Sequence, residues 1–204
     1  GARPRASRGG IVEEEEEMHA RPSVALLGEM QRVATSAAGD FKAQQVANLL
    51  WALATMGVDV DERLLRAMQR QAVGTARSAK PQEVTQVLWA LATMVEKADP
   101  GLLEAMQSRA TTILGDFKSQ EVANVLWALA VMDVVFDKDL AVLTDHLAAR
   151  ILELRDQFTQ AENSQLHQWL LSCELGLASG ASLPEGVARV KLEIGEECLQ
   201  AFSG

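Results

Sequence analysis

Apolar residues recur at helical spacing along most of the chain. After Lys42, for example, Val46, Leu50 and Leu53 fall on one side of a helix that turns by about 100° per residue. We call this type of segment helix A. A short polar break follows, and then a segment with a Leu-Leu-x-x-Met pattern, which Asp61 is well placed to cap. We call this second type helix B, and the pattern predicts that A and B helices alternate.

The A and B segments repeat with a period of 38 residues. The markers that keep this interval are Trp51, Trp89 and Trp127 in the A segments and Met30, Met68 and Met106 in the B segments. A fourth copy is degenerate, because insertions lengthen it and displace its tryptophan, Trp169. One helix pair alone would leave an apolar face exposed, so the copies should stack and bury that face between neighbours.

These features predict an all-α fold, an α-solenoid (α–α superhelix) of about four helix-turn-helix repeats stacked as in HEAT and pentatricopeptide proteins. Residues 1–21 mix Arg, Gly and Pro with a run of glutamates, so we expect a disordered lead-in there. We expect a single solenoid over residues 22–204, with roughly eight helices. Its predicted parts are an orphan helix B at 23–38, repeats at 41–78, 79–116 and 117–157, and a degenerate C-terminal repeat at 158–204.

Composition favours helices, because aromatic residues make up only 4 % of the chain and tyrosine is absent. The net charge of −9 provides no general attraction for a polyanion. The two cysteines, Cys173 and Cys198, lie far apart and do not indicate a disulfide framework. No apolar run approaches the roughly 18 residues that span a bilayer, so we expect a soluble protein.

A stripe of polar and aromatic residues lies opposite the apolar side of each A helix. Amide side chains one turn from a large aromatic ring suit unpaired bases, since an amide matches a base edge while a flat ring stacks. The candidate RNA-binding amides are Gln44 and Asn48, Gln82 and Gln86, and Gln120 and Asn124. It is equally open that these amides bind only loop backbone. For Trp51, Trp89 and Trp127 we favour packing between repeats over stacking on a base.

Basic residues supply candidate phosphate contacts. Arg63, Arg66 and Arg70 share one face of the first complete helix B, and Lys80 precedes the second helix A. An ordinary solvated surface explains the arginines equally well, because Glu62 lies beside them. The later B segments lack this stripe, so the sequence does not predict a continuous basic track.

The sequence contains no catalytic constellation. Its three histidines are isolated, and it has neither a glycine-rich phosphate loop nor a nucleophile elbow nor metal-ligand spacing. We therefore expect no enzymatic activity, no cofactor, no metal and no small-molecule substrate.

The string QEVANVLWALA at residues 120–130, with small changes at 44–54 and 82–92, resembles the octotricopeptide repeats and related repeats found upstream of RAP domains. The resemblance covers residues 23 to about 157, and the RAP domain itself is not recognisable in this sequence. Members of that family are nucleus-encoded factors of chloroplasts and mitochondria that act in RNA maturation, stability and translation. The resemblance therefore implies an RNA-binding repeat segment in a mitochondrion or a chloroplast.

Three functional hypotheses follow. The leading one is a binder of single-stranded RNA that uses the amide positions of the A helices together with Arg63, Arg66, Arg70 and Lys80. The main alternative is a protein-interaction scaffold whose concave face takes a partner helix or peptide. The third is an accessory segment that positions a RAP module. A basic, amide-lined concave surface would favour RNA, whereas an acidic or apolar surface would favour a protein partner.

Overall fold

A computed structural model describes residues 23–96, 98–133, 141–176 and 183–203. These residues form nine α-helices and no strand, which confirms the all-α solenoid prediction with one helix more than expected. The predicted lead-in at 1–21 lies outside the described residues. The helices are α1 (Val24–Ala37), α2 (Ala43–Met56), α3 (Glu62–Thr75), α4 (Pro81–Thr93), α5 (Pro100–Thr112), α6 (Ser119–Val131), α7 (Ala141–Leu154), α8 (Gln160–Leu175) and α9 (Glu185–Ser203).

The helices form two layers. The A layer contains α2, α4, α6 and α8, each packed against the next, and the B layer contains α1, α3, α5, α7 and α9. Contacts are more extensive between neighbouring A helices than between neighbouring B helices. Buried alanines in the A helices, such as Ala47, Ala90 and Ala128, let the backbones approach closely. We infer that the array curves toward the A layer, whose outer face is the concave one.

Side chains from helix B hold the loop of the next helix pair. Gln31 donates from Nε2 to the carbonyl of Asp59 at 2.9 Å, and its Oε1 accepts from the backbone N–H of Asp61 at 2.6 Å. One repeat later, Gln69 Oε1 accepts from the N–H of Asp99 at 2.7 Å. Both glutamines are buried, so these bonds satisfy their polar atoms and fix the position of α3 relative to α1 and of α5 relative to α3.

A second recurring contact ties α3, α5 and α7 to the loop that precedes the partner helix A. Gln71 Nε2 donates to the carbonyl of Phe41 at 2.6 Å, and Arg109 Nε donates to that of Ala79 at 2.6 Å. Arg150 Nη2 donates to the carbonyl of Phe117 at 3.0 Å. These bonds hold the starts of α2, α4 and α6 in register along one edge of the molecule.

The apolar face of α1 is exposed to solvent. Leu26 and Met30 are 53 % and 57 % exposed, whereas the equivalent residues of α3, Leu64 and Met68, are both 0 % exposed. The helix A that precedes α3 is α2, and it packs against α3. No helix A precedes α1 among the described residues. The orphan helix B at residues 23–38 stays a prediction, because residues 1–22 lie outside the described part of the chain.

Candidate nucleic-acid interface

The three A helices α2, α4 and α6 present a common polar face on the concave side. Gln44, Gln82 and Gln120 are exposed near the starts of these helices, and one turn further lie Asn48, which is exposed, and Gln86 and Asn124, which are half-buried. We call these six residues the amide row. The opposite sides of the same helices are buried in the core, as Val46 and Leu50 show at 0 % exposure. The predicted division of helix A into an apolar and a polar face is therefore confirmed.

The three tryptophans of the repeat motif lie one turn beyond the amide row. Trp89 and Trp127 are half-buried and contact each other across neighbouring helices, with ring centroids 6.4 Å apart and ring planes inclined by 33°. Such a ring contact joins adjacent repeats. Trp51 belongs to the first helix A and is 44 % exposed, which leaves part of its ring open for stacking.

The charged residues of this face lie at the starts of its helices. In α2, α4 and α6 the only acidic residues are Glu83 and Glu121, and each carboxylate accepts a hydrogen bond from the backbone N–H that precedes its helix, at 2.9 and 2.7 Å. The residues that donate these bonds are Lys80 and Lys118, and Lys42 stands at the same position before α2. All three lysines are exposed, and none forms an ion pair with another described residue.

Lysine is an unusual residue for these three positions. Its ammonium group cannot accept a hydrogen bond from the first turn, and its positive charge meets the positive end of the helix dipole. The start of α8 differs, since Thr159 Oγ accepts from the N–H of Glu162 at 3.3 Å. The lysines place positive charge along the edge of the concave face, beside Gln44, Gln82 and Gln120. Of this row the sequence interpretation singled out only Lys80 and missed its two equivalents, although all three stand 38 residues apart.

The predicted arginines lie elsewhere. Arg63, Arg66 and Arg70 are exposed on α3, in the B layer, whose outer side faces away from the amide row. Arg66 forms an ion pair with Glu62. Arg66 and Arg70 also line a groove of about 790 Å³ between α3 and α5, together with Asp99. The structure does not bring these arginines onto the surface of the amides and lysines, and their contact with RNA stays a prediction.

The degenerate fourth copy continues the amide row. Thr159 precedes α8 as Lys118 precedes α6, because its N–H donates to Glu162 at 2.8 Å just as that of Lys118 donates to Glu121. Counting from these two residues, Gln165 takes the position of Asn124 and Gln168 that of Trp127. Gln165 Nε2 donates to Asn124 Oδ1 at 2.8 Å.

The sequence interpretation missed Gln165, because it recognised Trp169 as displaced but did not determine the register of the fourth copy. Trp169 in fact takes the place of a buried alanine and is 0 % exposed. The signal that locates the register is the pair of a capping residue and a glutamate three residues later, Thr159 and Glu162.

Other classes of site receive no positive support from the described residues. No group of three or more His, Cys, Asp or Glu side chains there is arranged to hold a metal ion. Both cysteines are buried free thiols. Within the described part of the chain, every helix is too short or too polar to cross a membrane.

Comparison with known proteins places the chain in a family. Residues 23–166 match the family described as RNA-editing substrate-binding complex 6 protein, from the start of α1 into α8. No curated protein matches the chain. The match supports an RNA-associated helical protein but not the octotricopeptide or RAP-associated kinship in particular, which stays a prediction. Because the match spans more than two thirds of the sequence, the chain belongs to the RNA-editing substrate-binding complex 6 protein family.

Proposed function

We propose that this chain binds single-stranded RNA along the concave face of its A helices. In this proposal the bases meet the amide row, and the phosphates run along the edge that carries Lys42, Lys80 and Lys118. The observation that carries the proposal is the row of exposed and half-buried amides on a face where the three lysines at the helix starts form no ion pair with another described residue.

The chemistry of this face fits unpaired bases. An amide offers a donor and an acceptor in one plane and can pair with the edge of a base, which a double helix would hide. The half-open ring of Trp51 adds a surface for stacking at one end of the row. Lysines at the helix starts supply the salt-sensitive, sequence-independent part of the affinity, which an overall charge of −9 would otherwise oppose.

The cellular role forms part of the same proposal. The description of the family names an RNA-editing substrate-binding complex, and this supports a role in RNA processing with both RNA and protein partners. We propose that the chain acts there as a non-catalytic binding subunit. A mitochondrial or chloroplast location follows from the resemblance to organellar repeat proteins alone. Contacts from Arg63, Arg66 and Arg70 would need RNA that passes from the concave face around to the B layer.

A protein-interaction scaffold is the second candidate. The observation that favours it is the exposed apolar side of α1, where Val24 and Val33 join Leu26 and Met30. This surface lies at the end of the array rather than on the concave face, so a partner helix there would leave the amide row free for RNA.

The test is a fluorescence-anisotropy titration with labelled RNA 12-mers of each single base. The variant Asn48→Ala, Gln86→Ala, Asn124→Ala removes one amide from each of three repeats. Because a hydrogen bond contributes about 0.5–1.5 kcal/mol, the triple variant should bind at least about 10-fold more weakly. The matched control is Gln107→Ala, Gln200→Ala, which removes a half-buried and an exposed amide from α5 and α9 of the B layer and should leave affinity unchanged. Equal affinities of the triple variant and the wild type would contradict the proposal.

A further inference from the structure

We propose that Asn124 and Gln165 together form one composite contact site for a single base, so that the third and fourth repeats act as one position and not as two. The inference rests on the proposed function and adds to it a residue, Gln165, that the repeat motif does not reveal. It starts from the hydrogen bond of 2.8 Å from Gln165 Nε2 to Asn124 Oδ1.

The bond joins equivalent positions of neighbouring A helices. Asn124 lies six residues beyond Lys118, and Gln165 lies six residues beyond Thr159. The separation between them is 41 residues, against 38 between Asn48 and Gln86 or between Gln86 and Asn124. The three additional residues lie before α8 and leave the concave face intact, because α8 packs on α6 as α6 packs on α4.

The bond determines what the pair offers to a ligand. It uses the carbonyl of Asn124 and one N–H of Gln165, which leaves the amino group of Asn124 as a donor and the carbonyl of Gln165 as an acceptor. Both side chains are half-buried and not enclosed. A base edge that offers one acceptor and one donor has matching partners in this pair, as it has in the single asparagine or glutamine that binds adenine in a bidentate manner.

The pair is also held in place before any ligand arrives. Each side chain restricts the rotation of the other, so less conformational freedom is lost when a base binds. Among the described residues no hydrogen bond joins Asn48 to Gln86, whose side chains stand one repeat apart on α2 and α4. Asn48 and Gln86 therefore serve as the control pair, because we expect them to contribute independently to RNA affinity.

A double-mutant cycle in RNA affinity tests the inference. The proteins are the wild type, Asn124→Ala, Gln165→Ala and the double variant, titrated with the same RNA 12-mers. Each single change should weaken binding by about 3- to 10-fold, because either one disrupts the composite site. The double variant should bind RNA almost as well as the single variant with the lower affinity. Such a non-additive result indicates that the two residues are coupled.

The control cycle uses Asn48→Ala and Gln86→Ala, for which the two fold-changes should multiply. The composite site would be overturned if the fold-changes of Asn124→Ala and Gln165→Ala multiplied as well. It would also be overturned if Asn124→Ala weakened binding while Gln165→Ala bound RNA like the wild type. Thermal unfolding of the same variants without RNA shows whether the bond serves stability alone. If the two substitutions are coupled in their effect on stability while Gln165→Ala leaves RNA affinity unchanged, the inference is also overturned. If every variant of both cycles binds RNA like the wild type, the proposed function itself fails.

Discussion

At the scale of single residues, the same side chain serves different purposes according to its position on the helix. Trp51, Trp89 and Trp127 lie at the edge of the concave face, whereas Trp169, displaced by one residue, is completely buried in α8. A shift of one residue turns a helical side chain by about 100°, which is enough to move it from the surface into the core. Residue type alone therefore did not identify Gln165, which continues the amide row in the fourth repeat.

The two cysteines give a prediction at this scale. Burial raises the pKa of Cys173 to about 12 and that of Cys198 to about 11, and the neighbouring charges of Glu174 and Glu197 act in the same direction. The ordinary thiol pKa is about 8.5, so the folded state holds these protons more tightly than the unfolded chain does. This contribution to stability is fully present below about pH 8.5 and is lost as the pH rises through the folded values.

We therefore expect both thiols to react with a disulfide reagent at pH 8 only after unfolding in urea. The free energy of unfolding should also fall between pH 8.5 and 11 more steeply for the wild type than for Cys173→Ala, Cys198→Ala, which lacks both thiols. Rapid labelling of the folded protein at pH 8 would contradict the burial of these groups.

At the scale of helices, each helix is stabilised mainly by packing against its neighbours. The Leu-Leu-x-x-Met pattern occurs in α1, α3 and α5, yet only in α3 and α5 is its methionine buried, with Met68 at 0 % and Met106 at 2 % exposure. Stacked repeats bury one another in this way, and α1, which no helix A precedes among the described residues, keeps its apolar side exposed.

A matched pair of substitutions measures this difference. Met68→Ala should lower the free energy of unfolding by about 2–5 kcal/mol, since it removes buried atoms and leaves a cavity. Met30→Ala changes the equivalent residue of α1 and should have an effect within about 0.5 kcal/mol, as is usual at exposed positions. Urea denaturation followed by circular dichroism compares the two. Similar losses in both variants would show that α1 is covered in solution.

At the scale of the whole molecule, the sequence predicted the fold because the period of 38 residues is a property of the chain itself. It also predicted which side of each helix A is buried, since helical spacing separates Val46 and Leu50 from Asn48. It could not predict that Arg63 would lie on the opposite layer from the amide row, because the direction of each exposed face depends on how the layers pack. Lys42 and Lys118 share the 38-residue spacing of Lys80 in the sequence, but the edge that the three lysines form exists only once the helices are stacked.

The proposal as a whole states that RNA lies on the concave face of the A layer, and the location of the contacts tests this most directly. RNA 12-mers that contain 4-thiouridine can be crosslinked to the protein by light, and mass spectrometry then identifies the modified peptides. We predict crosslinks in α2, α4 and α6, at or beside the amide row, with Trp51 among the modified residues. Crosslinks confined to α3 and α5, around Arg66 and Arg70, or the absence of crosslinks above those of an unrelated acidic protein, would contradict it.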